Sequence, residues 1–289
     1  MITGKTNIVG LIGDPVEHSM SPPMHNAAFE YLGLDFAYVP FNVKITALGD
    51  AIKGASALRI KGLNVTIPHK TNVLEFLDVM DNPAELIGAV NTIKFDNGKI
   101  IGHNTDGMGA VRALEEVVLV KDKKVVVVGA GGAARALAFQ LILSGIESIT
   151  IINRTPEKAL KLKNEITSKI ESNVSYGNLE ILEKEISKAD ILINTTPVGM
   201  YPHIDDTPLA NASMMHSDLV VNDLVYNPMD TVLLKEAEKA GAETVSGLNM
   251  LLYQGAEAFK IWTGIDAPLD IMEKTLLNLL NYKLAKINL

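Results

Sequence analysis

The fold is decided by the stretch Lys123-Lys-Val-Val-Val-Val-Gly129-Ala-Gly131-Gly-Ala-Ala134, in which an apolar run passes directly into a glycine turn. The four valines predict a buried strand, and the small residues after the turn open a helix that is expected to end at Gly145. The spacing fits the pattern G-x-G-x-x-G/A, with Ala134 in the last place. Strand, glycine turn and helix in this order predict a nucleotide-binding unit.

A physical requirement explains each of the three small residues in this motif. The first glycine permits the tight turn, the second lets a pyrophosphate approach the backbone, and Ala134 lets the helix pack closely on the strand. The start of the helix offers free N–H groups and the positive end of its dipole to phosphates. The alternative is an ordinary glycine turn between a strand and a helix. The strand–turn–helix context favours the nucleotide site.

The residues after the next predicted strand bear on the choice of dinucleotide. That strand ends at Ile152, and Asn153-Arg154-Thr155 follow it. An NAD site usually has Asp or Glu here, which accepts hydrogen bonds from the ribose 2′-hydroxyl. An arginine pairs instead with a 2′-phosphate through two parallel N–H bonds. The sequence therefore favours NADP over NAD, and the alternative is that Arg154 merely caps a surface loop.

Strand and helix patterns alternate along the rest of the chain, which predicts the α/β fold class with mostly parallel sheets. We expect two α/β domains. The first is a substrate domain, residues 1–106, completed by C-terminal helices in residues 249–289. The second is a Rossmann-type NADP-binding domain, residues 107–248. In the first domain, Asp96-Asn-Gly98 predicts a β-hairpin, because Asn-Gly tolerates positive φ.

Composition excludes several classes of protein. The chain has no cysteine, which excludes disulfides, thiolate metal sites and a cysteine nucleophile. The six histidines show no H-E-x-x-H or similar spacing, so we expect no metal site. The net charge of −8 gives no basic field that would attract nucleic acid, and the apolar runs are shorter than the roughly 18 residues of a membrane span. We expect a cytoplasmic protein without a nucleic-acid or membrane partner.

Polar side chains form three clusters at the predicted ends of strands in the first domain. The first cluster contains Ser19 and Ser21, and the second runs from Asn64 to Lys70. The third consists of residues 104–107, preceded by Asn91-Thr92 across the predicted hairpin. Ligands of open α/β sheets bind beyond the carboxyl ends of strands. We therefore expect the three clusters to converge on one cleft.

Each of these residues has a commoner structural role when it is taken alone. Ser19 and Ser21 would be loop hydroxyls or helix caps. Lys70, which is expected to open a helix, would be a solvated surface lysine. Asp106 would cap the helix that starts at Gly107. The arrangement of all three clusters ahead of a dinucleotide-binding unit favours a site.

Seven short motifs follow one another from Gly13 to Gln254, over nearly the whole chain. They are Gly13-x-Pro-Val-x-His-Ser-x-Ser-Pro-x-x-His25-Asn26, Gly62-x-Asn-Val-Thr-x-Pro-x-Lys70, Gly88-Ala-Val-Asn91-Thr92, Asn104-Thr-Asp-Gly107, Asn194-Thr-Thr-Pro-Val-Gly199-Met200, Asp223-Leu-Val-Tyr226-Asn-Pro228 and Gly247-Leu-x-Met250-Leu251-x-x-Gln254. On these motifs the chain resembles the shikimate dehydrogenase family. The stretch from about residue 170 to residue 188 has no recognisable pattern.

The resemblance implies an NADP-dependent, reversible reduction of 3-dehydroshikimate to shikimate, a reaction of aromatic amino acid biosynthesis. It implies small molecules as partners and leaves a homodimer open. One alternative is a quinate/shikimate dehydrogenase that uses NAD or NADP, which Asn153-Arg154-Thr155 disfavours. The other is a non-catalytic nucleotide-binding regulator of the same fold, which would not need a lysine and an aspartate over one cleft.

The resemblance also implies roles for individual residues, and Lys70 and Asp106 would be the catalytic pair. Shikimate would be held by Ser19, Ser21, Thr66, Lys70, Asn91, Asp106, Tyr226 and Gln254. The pyrophosphate would be cradled by Gly129, Ala130, Gly131, Gly132 and Ala133, and the 2′-phosphate would face Asn153, Arg154 and Thr155. The path from adenine to nicotinamide would pass Thr195, Val225 and Gly247.

The chemistry of the implied reaction agrees with these residue types. Reduction of a ring ketone develops negative charge on its oxygen, so a proton donor must lie within hydrogen-bond reach. A lysine ammonium can donate that proton, and a neighbouring carboxylate can orient it. Hydroxyl and amide side chains suit a substrate with several hydroxyls, and they penalise analogues that lack one.

Overall fold

The computed structural model describes residues 2–287, and it describes side chains up to residue 281. The chain forms two compact units. The first combines the residues up to 105 with those from 252 onward, and the second contains residues 106–251. Residues 1, 288 and 289 of the expected first domain lie outside the described part of the chain.

The first unit begins with alternating strands and helices. The strands are β1 (Asn7–Gly13), β2 (Phe36–Asn42), β3 (Gly62–Val65), β4 (Val79–Met80), β5 (Thr92–Asp96) and β6 (Lys99–His103). The helices are α1 (Ser21–Tyr31), α2 (Leu48–Ala57) and α3 (Asn82–Ile87). Local sequence explains two helix starts. Prolines occupy the first turn of α1, where a fixed φ suits the helix, and the Asp81 side chain accepts from the Ala84 N–H to cap α3.

The second unit opens in α4 (Thr105–Glu115) and again alternates strands with helices. The strands are β7 (Lys124–Val128), β8 (Ser148–Ile152), β9 (Val174–Gly177), β10 (Ile191–Asn194), β11 (Val220–Asp223) and β12 (Glu243–Ser246). The helices are α5 (Gly132–Leu143), α6 (Pro156–Thr167), α7 (Leu182–Ile186) and α8 (Val232–Lys239). Helix α9 (Gly247–Thr263) ends in the first unit, where α10 (Leu269–Ile287) packs against α1. No helix within residues 2–287 is long and apolar enough to cross a bilayer.

The first sheet is mixed. Its described strands have the order β2-β1-β3-β5-β6-β4. β1 pairs in parallel with β2 and β3, whereas β5 runs antiparallel to β3 and β6. The predicted hairpin is confirmed, because Asp96 pairs with Lys99 and both Asn97 and Gly98 have positive φ. The tight turn forces the antiparallel pair, since parallel strands need a longer crossover.

The second sheet is parallel, and its described strands have the order β12-β11-β10-β7-β8-β9. The chain moves outward from β7 to β9 and then returns to β10 on the other side of β7. This reversal leaves a crevice at the carboxyl ends of β7 and β10, the topological switch point of a doubly wound sheet. The predicted α/β class with a Rossmann-type unit is confirmed.

The outer strand β2 is covered at its centre by a side chain of α1. Asn26 Nδ2 donates to the Tyr38 carbonyl at 3.0 Å, and Asn26 Oδ1 accepts from the Tyr38 N–H at 2.8 Å. These two bonds take the place of those that an additional strand would form. Further along β2, Pro40 has no N–H that could donate to such a strand. The centre of this sheet edge is therefore closed to pairing with another strand.

His25 is fully buried in an aromatic cluster of the first unit. Its ring stacks on Tyr38 with a centroid distance of 4.6 Å, and it is surrounded by Phe29, Phe259 and Trp262. Neither ring nitrogen has a hydrogen-bond partner among the described residues. Because burial disfavours the charged form, the pKa of His25 is lowered to about 3, and the ring is neutral at physiological pH.

Two local expectations from the sequence need correction. Lys70 does not open a helix, since it lies in a turn and the short 3-10 helix Asn72–Phe76 begins after it. That helix stays short because Leu77 is already extended as the chain enters β4. The stretch of residues 172–188, which has no recognisable pattern, contains β9 and α7. β9 has two exposed residues at the rim of the sheet, so its apolar signal is weak.

We predict that His25→Phe reduces the loss of stability in acid. In the wild type the unfolded chain takes up a proton on His25 near pH 6.5, whereas the folded chain resists protonation down to about pH 3. Stability is therefore lost as the pH falls through this window, by at most about 1.4 kcal/mol per pH unit. Urea unfolding of both proteins from about pH 7 to about pH 4 measures the difference. Exposed His203→Gln is the control, and parallel pH dependence of wild type and His25→Phe would contradict the prediction.

Candidate functional site

Those residues of the three polar clusters that belong to the first unit lie at one edge of its sheet. β1 and β3 are parallel with Ile12 beside Val65, so the chain leaves both strands at the same edge. The two exits are joined, because the Thr66 N–H donates to the Ile12 carbonyl at 2.9 Å. β5 begins antiparallel where β3 ends, which brings Asn91 to this edge as well. The sequence clusters therefore share one location within the first unit.

A buried polar network of Tyr38, Asn64, Asn91, Thr92 and Thr105 links these clusters. The Tyr38 hydroxyl donates to Asn64 Oδ1 at 2.7 Å, and Asn64 Nδ2 donates to Thr92 Oγ1 at 3.0 Å. Thr92 Oγ1 donates to Asn91 Oδ1 at 3.1 Å. Asn91 Oδ1 also accepts from the Thr105 N–H at 2.7 Å, and Asn91 Nδ2 donates to Thr105 Oγ1 at 2.9 Å. Because these groups are shielded from water, their bonds fix the orientation of both amides.

The backbone at Lys70 is fixed on two sides. Its carbonyl accepts from the Val90 N–H at 2.8 Å. The preceding residue, His69, is fully buried, and its Nε2 lies 2.6 Å from the Val43 carbonyl. A carbonyl can only accept, so Nε2 carries the proton in this bond. The turn is rigid, while the Lys70 side chain is half-buried.

The first cluster lies at the start of α1. Ser21 is buried, and its N–H donates to Ser19 Oγ at 3.2 Å, so Ser19 has a capping role. Tyr38, on β2, is also buried, and burial raises the pKa of its hydroxyl above the ordinary value.

The other predicted substrate residues are spread over the two units. Gln254 lies on the part of α9 that belongs to the first unit, next to Gly255, which packs closely against Met24. Asp106 is in the first turn of α4, and Tyr226 follows β11, both in the second unit. Burial raises the pKa of Tyr226, so its hydroxyl is a neutral donor at physiological pH.

The predicted cofactor residues follow strands at one edge of the second sheet. Parallel pairing aligns the last residues of the neighbouring strands β7, β8, β10, β11 and β12. The residues that come after these ends are Gly129, Ala130, Gly131, Gly132 and Ala133, then Asn153, Arg154 and Thr155, and then Thr195, Val225 and Gly247. They occupy the edge at which such sheets bind ligands.

The glycine turn has the features of a phosphate site. Gly129 has a φ of +117°, and a Cβ there would collide with Thr195 Oγ1, so the turn itself requires glycine. Gly131 has an ordinary φ of −90°, and a Cβ there would meet no described atom within 4 Å. The fold alone does not require glycine at this position. α5 starts without a side-chain cap among the described residues, so its first N–H groups face the open space beside Gly131.

The residues after β8 present a cation at the same edge. The Asn153 N–H donates to the Gly177 carbonyl at 3.1 Å, and Asn153 Nδ2 donates to the Thr155 carbonyl at 2.9 Å. Arg154 is exposed, and no residue within 2–287 forms an ion pair or hydrogen bond with its side chain. The loop is thus held by Asn153, and Arg154 does not cap it.

Asp223 supports the loop after β11. It is fully buried, and its Oδ1 accepts from Asn194 Nδ2 at 2.9 Å and from the Val225 N–H at 3.0 Å. Its Oδ2 accepts from the Thr231 hydroxyl at 2.7 Å. Burial raises the pKa of this carboxyl, and the three hydrogen bonds oppose that shift. Asp223 ties the ends of β10 and β11 to the first turn of α8, and so fixes Val225.

The sequence placed Asn64 in the second cluster and Asp223 in a motif, but it gave neither of them, nor Tyr38, a role of its own. Two of them carried a signal, because a polar residue inside an apolar strand must find a buried partner. Asn64 interrupts the buried strand Gly62–Val65, and Asp223 ends the buried strand Val220–Asp223. Tyr38 carried none, since a tyrosine in a strand is ordinary.

A parallel sheet with a glycine turn at its switch point defines a dinucleotide-binding domain. Three family models match the chain in order. They are the shikimate dehydrogenase substrate binding domain at residues 11–93, shikimate / quinate 5-dehydrogenase at residues 112–225, and the shikimate 5′-dehydrogenase C-terminal domain at residues 247–277. The chain belongs to the shikimate dehydrogenase family.

Individual relatives match over almost their whole length. A protein of Methanothermobacter thermautotrophicus named shikimate dehydrogenase (NADP(+)) is 58% identical over 97% of this chain and 99% of its own. The crystal structure of a shikimate dehydrogenase in complex with NADP+ has a TM-score of 0.92 and 52% identity, covering 97% of this chain and 98% of that one. A shikimate 5-dehydrogenase from Listeria monocytogenes in complex with shikimate and NAD has a TM-score of 0.92 and 43% identity, covering 95% and 98%.

We predict that Asp223→Ala destabilises the second unit by about 3 kcal/mol or more. Three buried donors would lose their acceptor, and each unsatisfied group costs about 1–3 kcal/mol. Asp223→Asn should cost less, because the amide oxygen still accepts. Urea unfolding at neutral pH, followed by circular dichroism, measures both variants, with exposed Asp218→Ala as the control. An Asp223→Ala variant as stable as the wild type would show that these bonds contribute nothing net.

Proposed function

We propose that the chain is an NADP-dependent shikimate dehydrogenase, which reduces 3-dehydroshikimate to shikimate and catalyses the reverse reaction. The proposal rests chiefly on the convergence of Ser21, Thr66, Lys70 and Asn91 at one edge of the first sheet. Hydroxyl, amide and ammonium groups in one place suit a substrate with several hydroxyls, a carboxylate and a ketone. Membership of the family and the NADP(+) relative support the assignment.

The second unit has the groups that NADP requires. The uncapped start of α5 and the open space at Gly131 fit a pyrophosphate. The exposed guanidinium of Arg154, which has no partner in the part of the chain that the structure describes, fits the 2′-phosphate, and no carboxylate occupies the two flanking positions. When bound, NADPH supplies the hydride that reduces the ketone carbon. The remaining contacts would come from Gly129, Ala130, Gly132, Ala133, Asn153, Thr155, Thr195, Val225 and Gly247.

Lys70 would supply the proton. Negative charge develops on the ketone oxygen during reduction, and an ammonium within hydrogen-bond reach stabilises that charge and then protonates the oxygen. The rigid turn around Lys70 limits the positions that its ammonium can take. Asp106 would accept a hydrogen bond from the ammonium and orient it. In the reverse direction, neutral Lys70 would take the proton from the alcohol.

The remaining substrate groups would be bound by neutral polar side chains. The carboxylate and hydroxyls of shikimate need several donors and acceptors in fixed positions, and an analogue that lacks a hydroxyl would leave one of them unpaired. The neutral Tyr226 hydroxyl can donate to such a group. The proposed set is Ser19, Ser21, Thr66, Asn91, Tyr226 and Gln254.

A turnover assay distinguishes this proposal from its alternatives. The purified chain is mixed with 3-dehydroshikimate and NADPH, and NADPH consumption is followed by absorbance. Parallel reactions contain NADH in place of NADPH, and quinate with each oxidised dinucleotide. We expect rapid turnover only with 3-dehydroshikimate and NADPH. A preference for quinate and NAD, or NADPH binding without turnover, would contradict the proposal.

We predict that Arg154→Ala weakens NADPH binding far more than NADH binding. A charge-assisted contact contributes about 1.5–3 kcal/mol, or roughly ten- to a hundredfold in affinity. The lower end is expected, because salt screens an exposed guanidinium. Michaelis constants for both dinucleotides, measured at two salt concentrations, test this, with the nearby exposed Lys158→Ala as the control. An equal loss for NADPH and NADH would contradict the phosphate role.

We predict that Lys70→Ala binds NADPH normally and loses about 10²- to 10⁴-fold in turnover, the usual contribution of a general acid. Lys70→Met should be nearly as poor, because it keeps the length of the side chain but has no proton to give. Asp106→Asn should also be impaired, since the amide carries no negative charge. Single-turnover rates and NADPH titrations separate the chemical step from binding.

Two further variants make this test decisive. The Lys70→Ala, Asp106→Asn double variant should be little worse than the poorer single variant, because groups that act as a unit are not additive. Lys99→Ala, an exposed lysine of the same unit, should have normal turnover. Normal turnover in Lys70→Ala would rule out Lys70 as the proton donor.

A further inference from the structure

Tyr38 lies on the edge strand β2, outside the three polar clusters, yet its hydroxyl belongs to the buried polar network. It donates to Asn64 Oδ1 at 2.7 Å. On the other side of the same amide, Asn64 Nδ2 donates to the Asn91 carbonyl at 3.2 Å and to Thr92 Oγ1 at 3.0 Å. A carbonyl can only accept, so the Tyr38 hydroxyl and the Asn91 carbonyl hold the Asn64 amide in one orientation.

The orientation of Asn64 determines the direction of the hydrogen bonds that follow. Thr92 Oγ1 accepts from Asn64, and Asn91 Oδ1, at 3.1 Å, is a nearer acceptor for its proton than Thr105 Oγ1, at 3.4 Å. Asn91 Oδ1 thus faces Thr92 and the Thr105 N–H, and Asn91 Nδ2 is directed to Thr105 Oγ1. The amide of Asn91, a proposed substrate residue, is therefore held from two sides, by the Thr105 N–H and by the chain of bonds that begins at Tyr38.

The Tyr38 side chain is itself held rigidly. Its ring stacks on His25 at 4.6 Å with an interplanar angle of 2°, and Trp262 packs on it at 6.0 Å. Asn26 binds both the N–H and the carbonyl of Tyr38. The His25-Asn26 pair that closes the first sequence motif thus fixes the ring and the backbone of one tyrosine. A hydroxyl held in this way can order its partners at little entropic cost.

We propose that Tyr38 is a positioning residue for the ketone substrate, resting on the function proposed above. Its hydroxyl fixes the amide of Asn64 and, through Thr92, the amide of Asn91 before the substrate binds. Substrate affinity, rather than the chemical step, depends on this order.

Tyr38→Phe tests the proposal, because it removes only the hydroxyl and keeps the ring in the aromatic cluster. We expect the Michaelis constant for 3-dehydroshikimate to rise roughly three- to tenfold, the equivalent of one hydrogen bond. The Michaelis constant for NADPH should be unchanged, and kcat should change by about twofold or less. Calorimetric titration with shikimate should show the same loss of affinity.

Phe29→Leu tests whether a general loosening of the aromatic cluster would explain the effect. Phe29 belongs to that cluster but not to the buried polar network. Both variants should melt at a lower temperature, but only Tyr38→Phe should raise the Michaelis constant for 3-dehydroshikimate. Thr92→Val removes the relay to Asn91. If Tyr38 acts through Thr92, the Tyr38→Phe, Thr92→Val double variant should raise this constant by less than the product of the single effects.

The remaining outcomes are distinct. An unchanged Michaelis constant in Tyr38→Phe, alongside an active wild type, would overturn the positioning role and leave the proposed function intact. An equal rise in Phe29→Leu would also overturn it, because general loosening would then explain the effect. A wild type that neither turns over 3-dehydroshikimate nor binds shikimate would overturn the proposed function and this inference together.

Discussion

Parallel pairing of neighbouring strands is the constraint that aligns the strand ends of the second sheet and of β2, β1 and β3 in the first. It aligns β1 with β3 in the first unit, and β7 with β8 and β10 in the second. Chain exits from aligned strands fall at one edge, and helix N-termini begin at the same edge. The residues within these strands are mostly apolar, as in Lys124–Val128. Residues distant in sequence therefore become neighbours without any direct attraction between their side chains.

The fold buries several polar side chains, and it accommodates them in three ways. The amides of Asn64 and Asn91 share protons with hydroxyls in the buried polar network. The Asp223 carboxyl collects three donors from two loops and a strand end. His25 has no partner among the described residues and stays neutral, because protonating it without water costs more than leaving it uncharged. The first two arrangements fix loops at a candidate site, and the third holds Tyr38.

How much the sequence predicts depends on how local the physical cause is. The valine strand, the glycine turn and α5 are adjacent in the chain, and the Asn97-Gly98 hairpin needs only positive φ, so both were predicted. β9 depends on pairing with β8 at a rim, which local periodicity does not reveal. The role of Tyr38 depends on Asn64, 26 residues further along, and the short helix after Lys70 depends on where β4 must begin. These causes lie in tertiary pairing, which one sequence does not display.

The two candidate sites differ in how they would select their ligands. Arg154 is exposed and has no partner among the described residues, so it keeps its rotamer freedom until an anion binds, and salt weakens the attraction. Asn91 is buried in a network whose bonds are already made, so it would lose little entropy when a ligand binds. A ligand without the matching polar group would leave this buried amide with an unsatisfied hydrogen bond, at the full desolvation cost. Changing the dinucleotide needs one surface side chain to change. Changing the substrate would require several residues of the buried polar network, from Tyr38 to Thr105, to change together. If one residue alone exchanged its donor and acceptor groups, a neighbouring group would be left without a hydrogen bond.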